Sequence, residues 1–549
     1  MPRLPVSMSG QGSMPGTSWP RRCRRWARAP ASPTPRRGPD GSALPPGSFP
    51  YVEDLGADTS AIEEPACGSY PYARHACSRS AQNALVVPGA SRYDSAPMIL
   101  KEARATVALA LPIVGTQLAQ MAIHTTDVLL LARLSERALA ASALAVSIYG
   151  FFMVMCMGLA MGTPALAAQA LGRDRADREK VRRAVHDGLI VTGIGSAVAM
   201  VALWFSGPLL LWSGQAPELV AQTVPFLRIL SIGFLSVIWF AVLRGFIAAL
   251  ERPRPAMVLM AIAVLLNAVL NYGLVFGALG LPRLELLGAA IGSSTVNIAI
   301  LVALGLYIRF DTQFAAYRLA QGWWRSTASR LIHYSRVSAP IALTFGSEVG
   351  LFSAAALLMG RLGASEVAAH QVALQWAAIT FMVPMGIAQA ATVRVGLAAG
   401  AHDMAGVRRA GWIAIALGVG FMACAGLMFW LAGGWLIAVF VPSPASPIYA
   451  LAVAYLSWAA LFQVVDGAQA VANGSLRGLH DTTVPMLLAA GGYWLAAFPA
   501  AVWLGLFTTW KGEGVWAGLA FGLTLVAVLL VWRFAARSGR RTVLAPAPA

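Results

Sequence analysis

The stretch IALTFGSEVGLFSAAALLMG, residues 341–360, contains one charged side chain, Glu348, near its middle. A helix needs about 20 predominantly apolar residues to cross a lipid bilayer, so this stretch predicts a membrane-spanning helix. An acidic side chain at that depth costs roughly 3 kcal/mol or more, and it is interpreted as functional by default. The stretch therefore predicts a membrane protein in which Glu348 has a functional role.

The chain on either side of this stretch has the same character. Of 549 residues, 58% are hydrophobic and 12% are charged, and the mean hydropathy is +0.65. A soluble chain is nearer half apolar and one quarter charged, so a soluble globule is excluded. The pattern predicts an all-α integral membrane protein with twelve spans, approximately at 107–131, 140–166, 186–207, 221–243, 256–277, 287–308, 337–359, 366–393, 411–439, 449–473, 484–506 and 514–534.

The basic residues are concentrated in alternate loops. A formal net charge of +17 suggests a nucleic-acid binder, but the distribution of the charge excludes that interpretation. From residue 98 onward, most Lys and Arg fall in every second predicted loop, as in GRDRADREKVRRA at 172–184. Basic loops remain in the cytoplasm. We therefore predict a multi-pass protein of a bacterial inner (plasma) membrane, with both termini in the cytoplasm.

Residues 1–97 differ in kind from the rest. They are rich in Pro, Gly, Ser and Arg and have no apolar period, which is typical of disorder. RRCRRW at 21–26 is similar to a twin-arginine signal, but no apolar core follows it, so no signal peptide is predicted. We hypothesise that Met98 is the true start, and a native amino terminus upstream of it would contradict this. A cytoplasmic tail is predicted at 537–549.

The apolar region repeats itself. An offset of 228 residues, the separation of Pro112 and Pro340, places LPIVGTQ at 111 on APIALTF at 339. We predict a first six-helix lobe at 98–310, a cytoplasmic linker at 311–336 and a second six-helix lobe at 337–536. Six spans in each lobe make the repeat parallel, with a pseudo-two-fold axis along the membrane normal and a cavity between the lobes.

A polar stripe runs along the first predicted span. It consists of Gln117, Gln120, His124 and Asp127. Their spacings of 3, 4 and 3 residues place them on one narrow helical face, which must point to the bundle interior or to water. The alternative is a stripe that holds helices together by hydrogen bonds, although Asp127 suits that role less well than the amides do. Asn267 and Asn271 in the fifth span fit cavity lining and structural bridging about equally.

The tenth predicted span has a second polar face. It consists of Gln463, Asp466, Gln469 and Asn473. Asp466 is the natural partner of Glu348, and Thr344 lies one turn before Glu348. Two carboxylates with hydroxyl and amide oxygens suit a hard monovalent cation such as sodium, and they suit a proton equally well. Permanent pairing of these acids with a basic residue lacks an evident partner, because Arg228 is the only basic residue well inside a predicted span and Arg394 lies just beyond one.

At this point the residues match a family. The chain from Met98 onward resembles the multidrug and toxic compound extrusion (MATE) transporters, in particular their NorM-like branch. The resemblance rests on Pro112 with Asp127, on LNAVLNY (266–272), FGSEVGLF (345–352), ASEVAAHQVALQW (364–376) and FQVVDGAQAVANGSLRG (462–478). It implies twelve helices in two V-shaped lobes and export of amphipathic, often cationic drugs in exchange for sodium or protons.

The resemblance also implies residue roles. It implies that Glu348 and Asp466 bind the coupling cation in the second lobe, as ligands of the metal if the ion is sodium. It also implies that Asp127 contributes to cation binding in the first lobe. The other side chains predicted to line the cavity are Gln117, Gln120, His124, Asn267, Asn271, Thr344, Gln463, Gln469 and Asn473.

Three other functions were weighed. A lipid-linked oligosaccharide flippase of the same superfamily would share the helix pattern, but it should line its cavity with a cluster of Arg. A membrane enzyme would need a nucleophile or a metal motif, and the sequence shows neither. A channel does not need two equivalent lobes. We expect no catalytic residue and no cofactor beyond the coupling ion. The expected partners are the lipid bilayer, small cationic or amphipathic drugs and the coupling cation, with a monomer as the working unit.

Overall fold

The structure is a computed structural model, and it describes residues 95–539. Twelve helices in this part are long and apolar enough to cross a membrane. We number them in chain order: α1 Met98–Ala132, α2 Glu136–Arg173, α3 Arg178–Trp204, α4 Pro217–Ala249, α5 Arg254–Phe276, α6 Glu285–Phe310, α7 Ala328–Leu362, α8 Ala364–Gly400, α9 Met404–Ala438, α10 Pro447–Gly478, α11 Thr483–Leu506 and α12 Lys511–Gly539.

Local details modify this list. The first helix begins at Ser95, and α2 is divided at Met161. A π-helical turn, Gly492–Ala497, lies within α11. Short helical segments in the connections are Ser206–Trp212, Thr312–Ala315 and the 3₁₀ turn Trp323–Arg325.

The predicted fold class is confirmed. Each of the twelve predicted spans overlaps one observed helix, and no strand occurs within residues 95–539. The observed helices are longer than the predicted spans: α4 continues to Ala249 and α10 to Gly478. The expectations for residues 1–94 and for the tail after residue 539 lie outside the described residues. The predicted lobe and linker boundaries stay predictions.

The helices pair in the same way in both halves of the chain. In the first half, α1 packs on α5, α2 and α3 on α4, and α4 and α5 on α6. In the second half, α7 packs on α11, α8 and α9 on α10, and α10 and α11 on α12. The first helix of each half also has the same local feature, because Thr116 and Thr344 donate to the carbonyls of Pro112 and Pro340 at 2.8 and 2.9 Å. The two halves are therefore two bundles of one design, which we call the first and second lobes.

The lobes meet through α1 and α2 on one side and α7 and α8 on the other. The repeat matches α1 with α7 and α2 with α8. The contact between α1 and α8 therefore corresponds to the contact between α7 and α2, as a two-fold axis requires. Near the basic loops the helices are very close: a Cβ on Gly172 would overlap the carbonyl oxygen of Leu397, and a Cβ on Gly400 would overlap the carbonyl oxygen of Gln169. This end of the molecule is closed.

An ion pair adds to the closure at the same end. The Arg394 guanidinium on α8 donates two hydrogen bonds, of 2.9 and 2.7 Å, to the carboxylate of Glu102 on α1. It also pairs with Glu251, which follows α4. The basic loops and the closed interface therefore lie at one end, and the space between the lobes lies toward the other.

Candidate functional site

A cavity of about 800 Å³ lies between the lobes, with walls formed mainly by α1, α2 and α8. Its lining residues lie in the parts of these helices toward the connections at 133–135, 363 and 439–446, which are at the end of the molecule opposite the closed end. A second cavity of about 490 Å³ extends into the second lobe, and a third of about 100 Å³ extends into the first. Met157 lines all three, so they form one central region with an arm in each lobe.

The second-lobe arm brings Glu348 and Asp466 together. Both carboxylates line it, from α7 and α10. Asp466 is only 4% exposed, whereas Glu348 is half-buried because it faces the cavity. Four phenyl rings share the wall: Phe345, Phe352, Phe381 and Phe462. Two acids in an aromatic cavity suit a cation that also has apolar surface.

The hydrogen bonds of this arm are incomplete. Within the described residues, Asp466 Oδ1 is buried without a hydrogen-bond partner, and so are the amide oxygens of Gln463 and Gln469. The amide nitrogens do have partners, since Gln463 donates to Thr380 and Gln469 donates to Tyr493 Oη at 2.6 Å. A buried polar atom without a partner costs about 1–3 kcal/mol. Of these residues only Asp466 lines the cavity, so its oxygen is the one that favours a positively charged ligand.

The first-lobe arm satisfies its acid with protein groups. Asn271 Nδ2 and Ser293 Oγ donate to the two oxygens of Asp127 at 2.6 and 2.9 Å. Asn267 Nδ2 in turn donates to Ser293 Oγ at 3.1 Å. Asp127 lines the small cavity, but its oxygens already accept hydrogen bonds from α5 and α6. Ser293 was not predicted, because one serine among many in apolar helices carries no distinctive signal.

The stripe on α1 faces the central region. Gln120 and His124 line both the first-lobe arm and the space between the lobes. Gln117 lines the space between the lobes, donates to Met385 Sδ at 3.1 Å and accepts from Arg244 Nη1 at 2.9 Å. The stripe therefore serves cavity lining and helix contact together.

The remaining predicted residues do not reach the cavity walls. Thr344, Gln463, Gln469, Asn473, Asn267 and Asn271 are all buried behind them. The Thr344 hydroxyl donates to the carbonyl of Pro340 in its own helix. It therefore does not act beside Glu348, contrary to the expectation. Asn267 and Asn271 act on Asp127 and Ser293 rather than on the open space.

The predicted spans 221–243 and 449–473 leave Arg244 and Arg477 outside the helices, in basic loops, and this prediction is wrong. Both arginines lie inside helices and are 3% and 5% exposed. The error arose because α4 and α10 extend beyond the apolar runs that defined the predicted spans. Arg477 lies with its guanidinium carbon 4.7 Å from the centroid of the Phe345 ring, and Phe345 precedes Glu348 by one helical turn. The acids of the second lobe thus have a basic neighbour.

This neighbour does not neutralise Glu348 by direct contact. Among the described residues, Arg477 forms no ion pair within 4.0 Å, and its Nε has no hydrogen-bond partner. No cluster of three or more His, Cys, Asp or Glu side chains suited to a metal occurs in the same part of the chain. The arrangement can exchange one cation for another, because the acids face a cavity and are not bound to the arginine.

Comparison with known proteins shows which family has this arrangement. A model of the MatE family matches residues 112–273 and 340–503, and the two matches begin at the prolines that the repeat superposes. A Mesorhizobium japonicum protein named probable multidrug resistance protein NorM is 43% identical over 440 residues, 80% of this chain and 94% of its own. A Brucella suis protein of the same name is 40% identical over 77% of this chain and 90% of its own.

A solved structure shares the fold. The eukaryotic MATE transporter AtDTX14 has a TM-score of 0.71 over 80% of this chain and 98% of its own, at 21% sequence identity.

Proposed function

The chain belongs to the MatE family, and we propose that it is a secondary active exporter of amphipathic, cationic compounds. The exporter exchanges these compounds for sodium ions or protons by alternating access. Both bacterial relatives carry the name multidrug resistance protein, and both align with this chain over most of their length. Family membership supports transport, and the chemistry of the cavity supports cationic cargo.

One observation carries the proposal: Glu348 and Asp466 face one aromatic cavity, and an oxygen of Asp466 lacks a hydrogen-bond partner. A drug cation can place its charge against these carboxylates and its apolar surface against the rings. A sodium ion or a proton can take the same charge position without using the apolar wall. Both ligands therefore compete for the same acids.

Competition of this kind couples the two movements. Inward movement of one positive charge is favoured by about 2.3 kcal/mol per 100 mV of membrane potential, and outward movement of a monocationic drug costs the same amount, so a one-for-one exchange is driven by the concentration gradient of the ion. When the incoming ion occupies the acids, it lowers the affinity for the drug, and the drug lowers the affinity for the ion by the same factor. Release of the drug on the outer side then follows from arrival of the ion.

The shape of the molecule supports alternating access. The lobes are closed at the end of the basic loops and separated toward the other end. We assign the basic end to the cytoplasm by the positive-inside rule, which also places both termini there, in a bacterial inner membrane. Breaking the Arg394–Glu102 contact and closing the opposite end would present the same cavity to the cytoplasm.

The flippase alternative receives less support from the cavity. Among the described residues, Arg244 is the only arginine found in the walls of these three cavities, and it lines the first-lobe arm. Gln117 already accepts a hydrogen bond from it. A lipid diphosphate would need several unpaired cations. The acids Glu348 and Asp466 would repel it.

The proposal is tested with everted membrane vesicles that contain the full chain and a fluorescent organic cation. A sodium gradient and a pH gradient are imposed separately, and uptake of the dye into the vesicles is followed. We expect uptake with one gradient and competition by a second organic cation. Absence of uptake under both gradients, with the protein present in the membrane, would contradict the proposal.

A further inference from the structure

We propose that Arg477 is a fixed internal cation that limits the second-lobe site to one positive charge at a time. This inference rests on the proposed function, since it concerns the cation-binding site of the exporter. The group consists of two acids, Glu348 and Asp466, and one arginine. With the acids ionised, its net charge is minus one, so a single monovalent cation neutralises it.

The position of Arg477 is the first observation. Its side chain is almost fully buried, and its guanidinium lies against the Phe345 ring. Phe345 lines the cavity, whereas Arg477 is not part of the wall. Glu348 is one helical turn after Phe345 on α7. An arginine does not lose its proton in a protein, so its charge is present whether or not a ligand occupies the cavity.

The second observation is that little else compensates this charge. The Nε of Arg477 has no hydrogen-bond partner in the described part of the chain, and a phenyl ring offers only a cation–π contact. A buried charge is costly unless it is paired. Phe345 precedes Glu348 by one helical turn, and Glu348 and Asp466 line the cavity whose wall includes that ring. The arginine and the acids therefore act as one electrostatic unit.

The first lobe shows the contrasting arrangement at matched positions. The offset of 228 residues places Gln117 on Phe345 and Gln120 on Glu348, and LRG at 243–245 corresponds to LRG at 476–478. There the arginine, Arg244, donates to Gln117 at 2.9 Å. An amide thus accepts from the arginine of the first lobe, whereas the arginine of the second lobe lies against a ring, and its Nε has no hydrogen-bond partner among the described residues.

This unit predicts selection by charge. A drug with one positive charge brings the site to neutrality, but a drug with two leaves one charge in excess in a water-poor cavity. Removing the positive charge of Arg477 makes the site more negative by one unit, which should favour a dication. Removing one acid together with the arginine should restore the original preference.

The test measures equilibrium binding of two probes to the purified full chain in lipid nanodiscs, without sodium and at one fixed pH. The probes are tetraphenylphosphonium, a monocation, and dequalinium, a dication. In Arg477→Gln, dequalinium affinity should rise about tenfold relative to tetraphenylphosphonium affinity, about 1.4 kcal/mol. Arg477→Lys should keep the wild-type ratio. The double variant Glu348→Gln/Arg477→Gln should return to within about threefold of it.

A second comparison keeps the test decisive if Arg477→Gln does not fold. Glu348→Gln alone should bind tetraphenylphosphonium about tenfold more weakly than wild type, whereas Glu348→Gln/Arg477→Gln should recover that affinity. If the double variant binds no better than Glu348→Gln, Arg477 has only a packing role and the inference is wrong. If the wild-type protein binds neither probe, the proposed cationic cargo is wrong instead.

Discussion

The two lobes share one design but treat their buried acids differently. In the first lobe, Asn271 and Ser293 donate to both oxygens of Asp127. In the second lobe, Glu348 and Asp466 face an aromatic cavity, and Asp466 Oδ1 has no partner in the described part of the chain. A carboxylate that already accepts hydrogen bonds has less to gain from a cation than one that does not. Under the proposed function, we therefore expect exchange of cation and cargo to be centred in the second lobe.

The repeat separates residues that build the fold from residues that build the site. Pro112 and Pro340 match, and a threonine four residues later donates to each proline carbonyl in the same way. At the neighbouring matched positions the lobes diverge, with Gln120 in the first lobe and Glu348 in the second. The framework is common to both lobes, and the charge is not.

The largest effect is expected from Glu348→Gln. The amide keeps the shape of the side chain but removes the charge that holds a cation. Removing one member of a desolvated charge pair costs about 2–5 kcal/mol, so gradient-driven dye uptake should fall about 30-fold or more. The measurement is uptake by everted vesicles that contain equal amounts of protein.

Glu285→Gln is the matched control for that change. Glu285 begins α6, is exposed and pairs with Arg283 at the surface, so its variant tests the same chemical change away from the cavity. Unchanged uptake by Glu285→Gln is expected. Full uptake by Glu348→Gln would show that the acids of the second lobe do not carry the exchange.

A smaller effect is expected from Asp127→Asn. The new amide can still accept one hydrogen bond from Asn271, and its nitrogen can donate to the Ser293 oxygen if that hydroxyl turns. Because most of the network survives, uptake should fall about tenfold and a gradient-dependent part should remain. The two variants are compared in the same vesicle assay. A loss as large as that of Glu348→Gln would make the lobes functionally equal and remove the contrast drawn above.

The last expected effect is on stability rather than on uptake, and it concerns His480, which links the second lobe to the first at the closed end. It follows α10, and its ring nitrogen lies 3.3 Å from the carbonyl oxygen of Ala165 on α2. Loss of water around the ring lowers the pKa of His480 from 6.5 to about 4, the hydrogen bond to Ala165 opposes this shift, and His333 and Arg173 add to it. The folded state therefore favours the neutral ring.

The protein should consequently become less stable as the pH is lowered from 6.5 toward 4. The unfolded chain takes up a proton near pH 6.5, and the folded chain does so only near pH 4, so stabilisation present above pH 6.5 is lost as pH falls toward 4. The full loss is of the order of 3 kcal/mol. Thermal melting of the protein in detergent should show a fall of a few degrees over this range. His480→Gln, which can donate to Ala165 but does not titrate, should show a smaller fall; an equal fall would assign the effect to other groups.

Much of the fold follows from local sequence. Twelve apolar runs, the alternation of basic loops and the repeat at Pro112 and Pro340 each express a constraint that acts along the chain, and the helices agree with them. The helix ends were less accurate, because a buried helix can continue through polar residues when another helix covers them. Arg244 and Arg477 were misplaced for that reason.

The contacts between helices were beyond sequence reasoning. Periodicity placed Asp127 on a face, but it could not show that Asn271 and Ser293 donate to it from two other helices. It also could not show that Glu348 and Asp466 share a cavity, or that Arg477 lies against Phe345. Each of these depends on how residues that are distant in the chain meet.

By itself, the sequence determined that the protein crosses a membrane twelve times, that it is built from a repeat and that Asp127, Glu348 and Asp466 are its candidate functional acids. Hydrophobicity, helical period and charge bias are local properties, and the bilayer imposes them directly on each segment. Only the tertiary structure decided which acid is satisfied and which is free to bind a cation. Hydrogen bonds and charge interactions depend on distances of a few ångströms between separate helices, and no pattern along one helix determines them.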